Sequence, residues 1–250
     1  MKKNFLLNKT TILAACAVAL LGLSAVGSTR AAINATTNEA IVADFATSNV
    51  AVSLYENEEL IGNGKQEEAN SLLSWIDNSF CIGKTYEEKI SFQNGEDYDA
   101  YARVIITKSW YDGEKKDQTL NPALIDLTIA DPDAWIIDEA ASTPERTVYY
   151  YKNPVAAKAD PIAITNSLKV NDVITEIVTE SAVKGATEGT IQTTYNYDGR
   201  SFSIDVQVDE IQTHNAYDAA RASWGVYLDI DENGTIRNVT HGTEGQTNEN

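Results

Sequence analysis

The sequence predicts an all-β fold: an antiparallel β-sandwich with one short helix near the C-terminus. Three observations predict it. From residue 49 onward, short runs of β-branched and aromatic residues alternate with turn residues at the spacing of sandwich strands. Residues 201–209 (SFSIDVQVD) place Phe202, Ile204, Val206 and Val208 opposite Ser203, Asp205 and Gln207, the pattern of a strand with one buried face and one wet face. Only residues 215–224 (NAYDAARASW) carry a convincing helical pattern. Neither a Pro- or Gly-rich linker nor a repeat divides the chain, so residues 49–241 read as one sandwich domain, long enough to build its own core.

The elements follow in order. Lys2, Lys3 and Lys9 form a basic start, residues 11–26 (TILAACAVALLGLSAV) carry no charge, and residues 27–32 (GSTRAA) supply small side chains. This is the layout of a secretory signal occupying residues 1–31, cut between Ala31 and Ala32. The apolar run falls short of the about 20 residues that span a bilayer, which favours cleavage over a permanent membrane anchor. Residues 13–16 (LAAC) match a lipobox, but the apolar run continues past Cys16, where a lipobox cysteine would close it. The expected location is therefore outside the cell, secreted or on the surface.

Residues 32–48 are a polar extension whose sparse apolar members include Ile33, Ile41, Val42 and Phe45. Val50, Val52 and Leu54 then alternate as a strand, and residues 87–93 (EEKISFQ) turn Ile90 and Phe92 inward. Asn94-Gly95 reads as a hairpin turn, since both residues tolerate positive φ. A long strand over 98–110 places Ala102, Val104 and Ile106 on one face, Arg103 and Thr107 on the other. Further strands are expected at 124–129, 135–138, 147–152, 163–170, 173–181 and 190–197, with loops at 62–74 and 112–121 as decorations. Asn215 offers the helix an N-cap and Gly225 a stop. Residues 226–230 and 235–239 form a hairpin around Asn233-Gly234, and 242–250 read as a polar, disordered tail.

Composition excludes several functions. The net charge of −18 becomes more negative when Lys2, Lys3, Lys9 and Arg30 leave with the signal. Such a surface repels nucleic acid and anionic lipid. Removal of Cys16 leaves Cys81 alone, so no intrachain disulfide is expected, and its neighbours Phe80 and Ile82 suggest a buried thiol.

No catalytic residue is assigned. His214 and His241 are the only histidines, and neither a His-Glu-x-x-His helix nor a Gly-x-Ser-x-Gly motif is present. Residues 229–234 resemble the start of a calcium loop, with Asp229, Asp231 and Asn233 at alternate positions, but the twelfth position is Thr240 instead of the bidentate Glu. A hairpin turn explains the same letters more simply, so no metal or other cofactor is expected beyond this calcium candidate. Trp75, Trp110 and Trp135 are candidates for a carbohydrate platform, against which core packing is the simpler account. Tyr149, Tyr150 and Tyr151 must put rings on both faces of a strand, at least one of them exposed. The acid pairs Asp97/Asp99 and Asp131/Asp133 fall in predicted turns.

Several segments together resemble one family. The signal ending in residues 27–32 resembles those cut by the SipW-type signal peptidase of Gram-positive bacteria, and residues 49–55 (NVAVSLY) resemble the strand that follows such signals. Residues 82–86 (IGKTY), 90–95 (ISFQNG) and 101–105 (YARVI) resemble the central strands of the TasA and camelysin group. Residues 202–212 (FSIDVQVDEIQ), with His214, Asn215 and Ala216, are similar to its last core strand and the Gln-x-x-Asn region after it. Residues 112–189 depart by insertions.

The resemblance implies a jelly-roll-like sandwich, SipW-dependent secretion, and a structural role in the extracellular matrix of biofilms. It also implies fibres in which the N-terminal segment of one subunit completes the sheet of the next. The candidate donor strand lies in residues 32–46, with Ile33, Ile41, Val42 and Phe45 as its plugs; an ordinary frayed terminus is the alternative. Expected partners are the signal peptidase, further copies and other matrix proteins. Two other functions stay open: a monomeric surface module binding glycan, calcium or protein, and a camelysin-like metalloprotease using His214 with carboxylates.

Overall fold

The computed structural model describes residues 31–32, 45–47, 52–63, 72–76, 80–182 and 191–242. Residues 1–30 of the expected signal, including Cys16, together with Ile33, Ile41, Val42 and residues 243–250, lie outside the described residues.

The strands are β1 (Ala31–Ala32), β2 (Phe45–Thr47), β3 (Val52–Glu56), β4 (Glu59–Asn63), β5 (Thr85–Glu87), β6 (Ile90–Asn94), β7 (Ala100–Asp112) and β8 (Lys115–Lys116). They continue as β9 (Ile125–Ile129), β10 (Trp135–Ile137), β11 (Arg146–Tyr151), β12 (Ile162–Ala163), β13 (Thr165–Val170), β14 (Val178–Ala182), β15 (Ile191–Tyr195) and β16 (Arg200–Gln212). Helix α1 (Ala216–Ser223) and the hairpin of β17 (Tyr227–Ile230) and β18 (Ile236–Thr240) follow.

The fold is an all-β sandwich. Its main sheet runs β1-β16-β7-β11-β10, with β2 also along β16 and β8 also along β7. The long strands β7 and β16 pair from Arg200↔Asp112 to Gln212↔Ala100. Facing them are two smaller sheets, β12-β6-β3-β4 and β5-β13-β9. These continue one another: the Ile164 N–H donates to the Ile90 carbonyl at 2.8 Å, and the Ile90 N–H to Thr165 Oγ1 at 3.0 Å. Val52, Leu54, Ile90 and Phe92 pack from one side and Ala102, Val104, Ile106, Phe202, Ile204 and Val206 from the other, with Trp110 and Trp135 between the layers. Period-2 alternation puts each set on one face, and the loss of water from those faces drives the layers together.

The far face of the main sheet is covered too, unlike the wet face expected of β16. Tyr101, Ile105, Val148, Tyr150 and Ile211 pack against Ala216, Ala220 and Trp224 of the helical segment and Leu228 and Ile236 of the hairpin. Asp209, read as ending the strand, is buried as a result; Ser203, read as facing water, is also buried, opposite Ser109 farther along the sheet. Arg103 donates to Asp209 Oδ2 from Nε at 3.1 Å and from Nη2 at 2.5 Å. The guanidinium lies 5.4 Å over the Trp224 ring.

Other expectations need correction. Asn94-Gly95 is not a hairpin turn, because β6 and β7 belong to different sheets. Buried Asn94 instead ties the crossing together: its Nδ2 donates to the Tyr98 and Val155 carbonyls, and its Oδ1 accepts the Glu96 N–H. Residues 172–175 form a 3₁₀ turn before β14, not the start of a strand. Asn215 does precede the helix, but at φ 56° and without a side-chain cap bond. Cys81 is exposed: Phe80, its neighbour, stacks on Tyr86 at 4.9 Å and fills the apolar space instead. Tyr150 is buried on the helix side, while Tyr149 and Tyr151 are half-buried against Trp135, so none of the three is fully exposed.

Candidate functional site

The edge of the main sheet along β16 is where the predicted donor segment meets the sandwich. On its inner side β16 is paired with β7 over its whole length. On the other side, the described residues place only two short strands. Ala31 and Ala32 of β1 pair antiparallel with Phe202 and Ser201. Phe45, Ala46 and Thr47 of β2 pair parallel with Val206, Gln207 and Val208. A long strand at the edge of a sheet offers a row of backbone donors and acceptors to any chain that reaches it. Of the four donor plugs, Phe45 thus stands in a strand on this edge, and the predicted cleavage residues Ala31 and Ala32 form the other.

Three carboxyl side chains point into the sandwich, and none was singled out from the sequence. Glu56 continues the inward face of Val52 and Leu54, Glu88 that of Ile90 and Phe92, and Glu210 that of Phe202 through Val208. Period-2 parity was the signal that could have found them. Burial, together with the charge of nearby Glu96, pushes Glu210 up to about 7. Glu56 is 5% exposed and Glu88 0% exposed. Glu56 Oε1 accepts the Leu73 N–H at 2.6 Å, and Glu88 Oε2 accepts the Trp75 indole N–H at 2.7 Å. Burial is the largest cause that pushes Glu88 up to about 9, followed by its hydrogen bond to Glu56 and the Glu56 charge.

The remaining candidates are scattered. Asp231 Oδ1 accepts the N–H groups of Asn233 and Thr235, both at 2.9 Å, and its Oδ2 accepts from Arg237 Nε at 2.8 Å. With Gly234 at φ 81°, this is a stitched hairpin turn whose acid serves the backbone. Asp229 stands within β17, opposite Asn238. His241 Nε2 lies 2.8 Å from both oxygens of buried Asp138, which ties the end of β18 to the main sheet. His214 sits in the turn before α1. Among the described residues no group of three or more His, Cys, Asp or Glu side chains gathers as a metal site. Trp110 and Trp135 are buried and Trp75 half-buried, so the three do not form a platform. Asp97 pairs with Lys158, and Asp99 caps the Ala157 N–H at 3.0 Å. No described helix is long and apolar enough to cross a membrane.

The chain matches no protein-family model, no curated protein and no solved structure.

Proposed function

We propose that this chain is a secreted, non-enzymatic structural protein of an extracellular matrix or cell surface, which assembles by strand addition along β16. The observation that carries this reading is the pairing of β2, which stays in the chain after cleavage, on the β16 edge. The N-terminal segment reaches that edge through main-chain pairing, which any copy of the same segment can reproduce. In a monomer the segment closes its own edge; in an assembly it closes the neighbour's, exchanging equivalent contacts at little cost in free energy. The signal-like start and the resemblance to SipW-dependent TasA and camelysin proteins agree with export and with a matrix role. The acidic surface keeps monomers soluble and apart until the strands exchange.

The test compares residues 32–250 with residues 49–250 by sedimentation and negative-stain microscopy. Fibres or large oligomers from the longer chain alone are the expected result. Folded monomers from both would overturn the proposal.

A further inference from the structure

We propose that Glu56 and Glu88 form a proton-binding site, in which one proton shared between the two carboxyl groups latches residues 72–76 onto the sandwich. Glu56 stands opposite Ile90 across the β3–β6 ladder, which makes Glu88, two residues before Ile90, its diagonal neighbour. Each carboxyl spends one oxygen on segment 72–76, Glu56 on the Leu73 N–H and Glu88 on the Trp75 indole N–H. Glu88 Oε1 is buried and receives no hydrogen from any donor of the unprotonated network. The Glu56 carboxyl is its diagonal neighbour on the same inward face, and hydrogen bonding to Glu56 raises Glu88 while hydrogen bonding to the Asn57 side chain lowers it. Two ionised carboxylates only accept hydrogen bonds, so a bond between them requires a proton on one. A calcium ion in the same place would need six to eight oxygens, and among the described residues no third acid, His or Cys joins the pair.

Among the described residues neither carboxyl of the pair has an ion-pair partner. Segment 72–76 contributes Leu73 and Trp75, and β13 contributes Thr165, whose Oγ1 donates to the Glu88 carbonyl at 2.7 Å. Asn57, whose side chain also bonds Glu88, is neutral, and Lys89, the next residue in sequence, turns outward to Glu58 at 3.2 Å. The latch also holds strain. Leu73 has φ 59°, a left-handed conformation that costs a bulky residue free energy and persists only when its surroundings impose it. Its N–H bond to Glu56 is one such constraint. Loss of the shared proton places two like charges in a dry site. The segment then gives way, and Trp75 leaves its contact with Tyr86 at 5.3 Å. This inference stands apart from the assembly proposal.

The test is infrared spectroscopy of residues 32–250 at pH about 8, above the value near which Glu210 loses its proton, combined with tryptophan fluorescence as the pH is raised. The wild type is expected to show a protonated-carboxyl C=O band at pH 8 that disappears, with a change in tryptophan emission, around the value of about 9 that Glu88 holds. Glu88→Gln, which keeps a neutral hydrogen-bonding head, is expected to lose both the band and the emission change while keeping the neutral-pH spectrum. Absence of the band from folded wild type at pH 8 would overturn the proposal, and needs no variant. So would an emission change that persists unaltered in folded Glu88→Gln.

Discussion

Arg103 and Asp209 sit directly opposite each other on β7 and β16, on the face that α1 covers. Asp209 is almost fully buried, and two guanidinium nitrogens of Arg103 plus Gln207 Nε2 at 3.0 Å saturate its carboxylate. Removing one partner of such a pair leaves the other charge desolvated and alone. Asp209→Ala is expected to lower unfolding stability by about 3 kcal/mol, the lower end for a broken buried pair because Arg103 keeps some access to water. Urea denaturation checks it; a change within about 0.5 kcal/mol, as for a surface site, would contradict it. Parity along the strands was enough to place Arg103 opposite the face of Ala102 and Val104. It did not disclose what lies on that side, because a polar residue on an alternating strand reads the same whether water or a helix faces it. The inward acids are hidden for the opposite reason: a charge on an alternating strand looks like its wet face, although Glu56, Glu88 and Glu210 keep the phase of the apolar residues.

At the level of elements, the β16 edge depends on backbone pairing by β2, centred on Ala46↔Gln207. Proline has no N–H and fixes φ, so it breaks such a ladder without touching the core side chains. Ala46→Pro in residues 32–250 is expected to abolish fibres and leave the folded core intact by circular dichroism. Fibres of undiminished yield would remove β2 from the assembly mechanism. Most strands were legible because their side chains obey one period over five or more residues, as β16 and β7 do. The connections were less so. Asn94-Gly95 has the letters of a tight turn, but Asn94 spends its amide on tertiary carbonyls and the chain changes sheets there. The 112–121 loop has the polar letters of a decoration, yet it returns as β8 and lodges Leu120 in the core. Local propensity describes a turn's own dihedrals; which strands it joins is decided by contacts far away in sequence.

For the whole molecule, the buried acids and the surface charge bias stability in the same direction. Glu210 is raised from its ordinary value of 4.5 to about 7, and Glu88 from 4.5 to about 9. The folded state therefore holds protons that the unfolded chain releases above about 4.5. For each group the stabilisation is fully present below that value and is lost as pH rises through the folded value, by up to about 1.4 kcal/mol per pH unit while only one state is protonated. Half-buried Asp117 and Asp231 are lowered, by hydrogen bonds from Thr119 and Thr235 respectively, and act the other way, losing their contribution only as pH falls through their lowered values. Stability should accordingly peak in mild acid and decline from about pH 5 to about pH 9. Self-repulsion of a chain with net charge −18 adds to the decline, but as a surface term it is screened when about 1 M salt shortens the Debye length to about 3 Å. Urea midpoints at pH 5, 7 and 9, each with and without salt, separate the two contributions. A decline that survives salt and flattens in a Glu88→Gln, Glu210→Gln double variant belongs to the buried acids. A profile flat in high salt, or highest near pH 8, would mean that neither carboxyl keeps its proton in the folded sandwich.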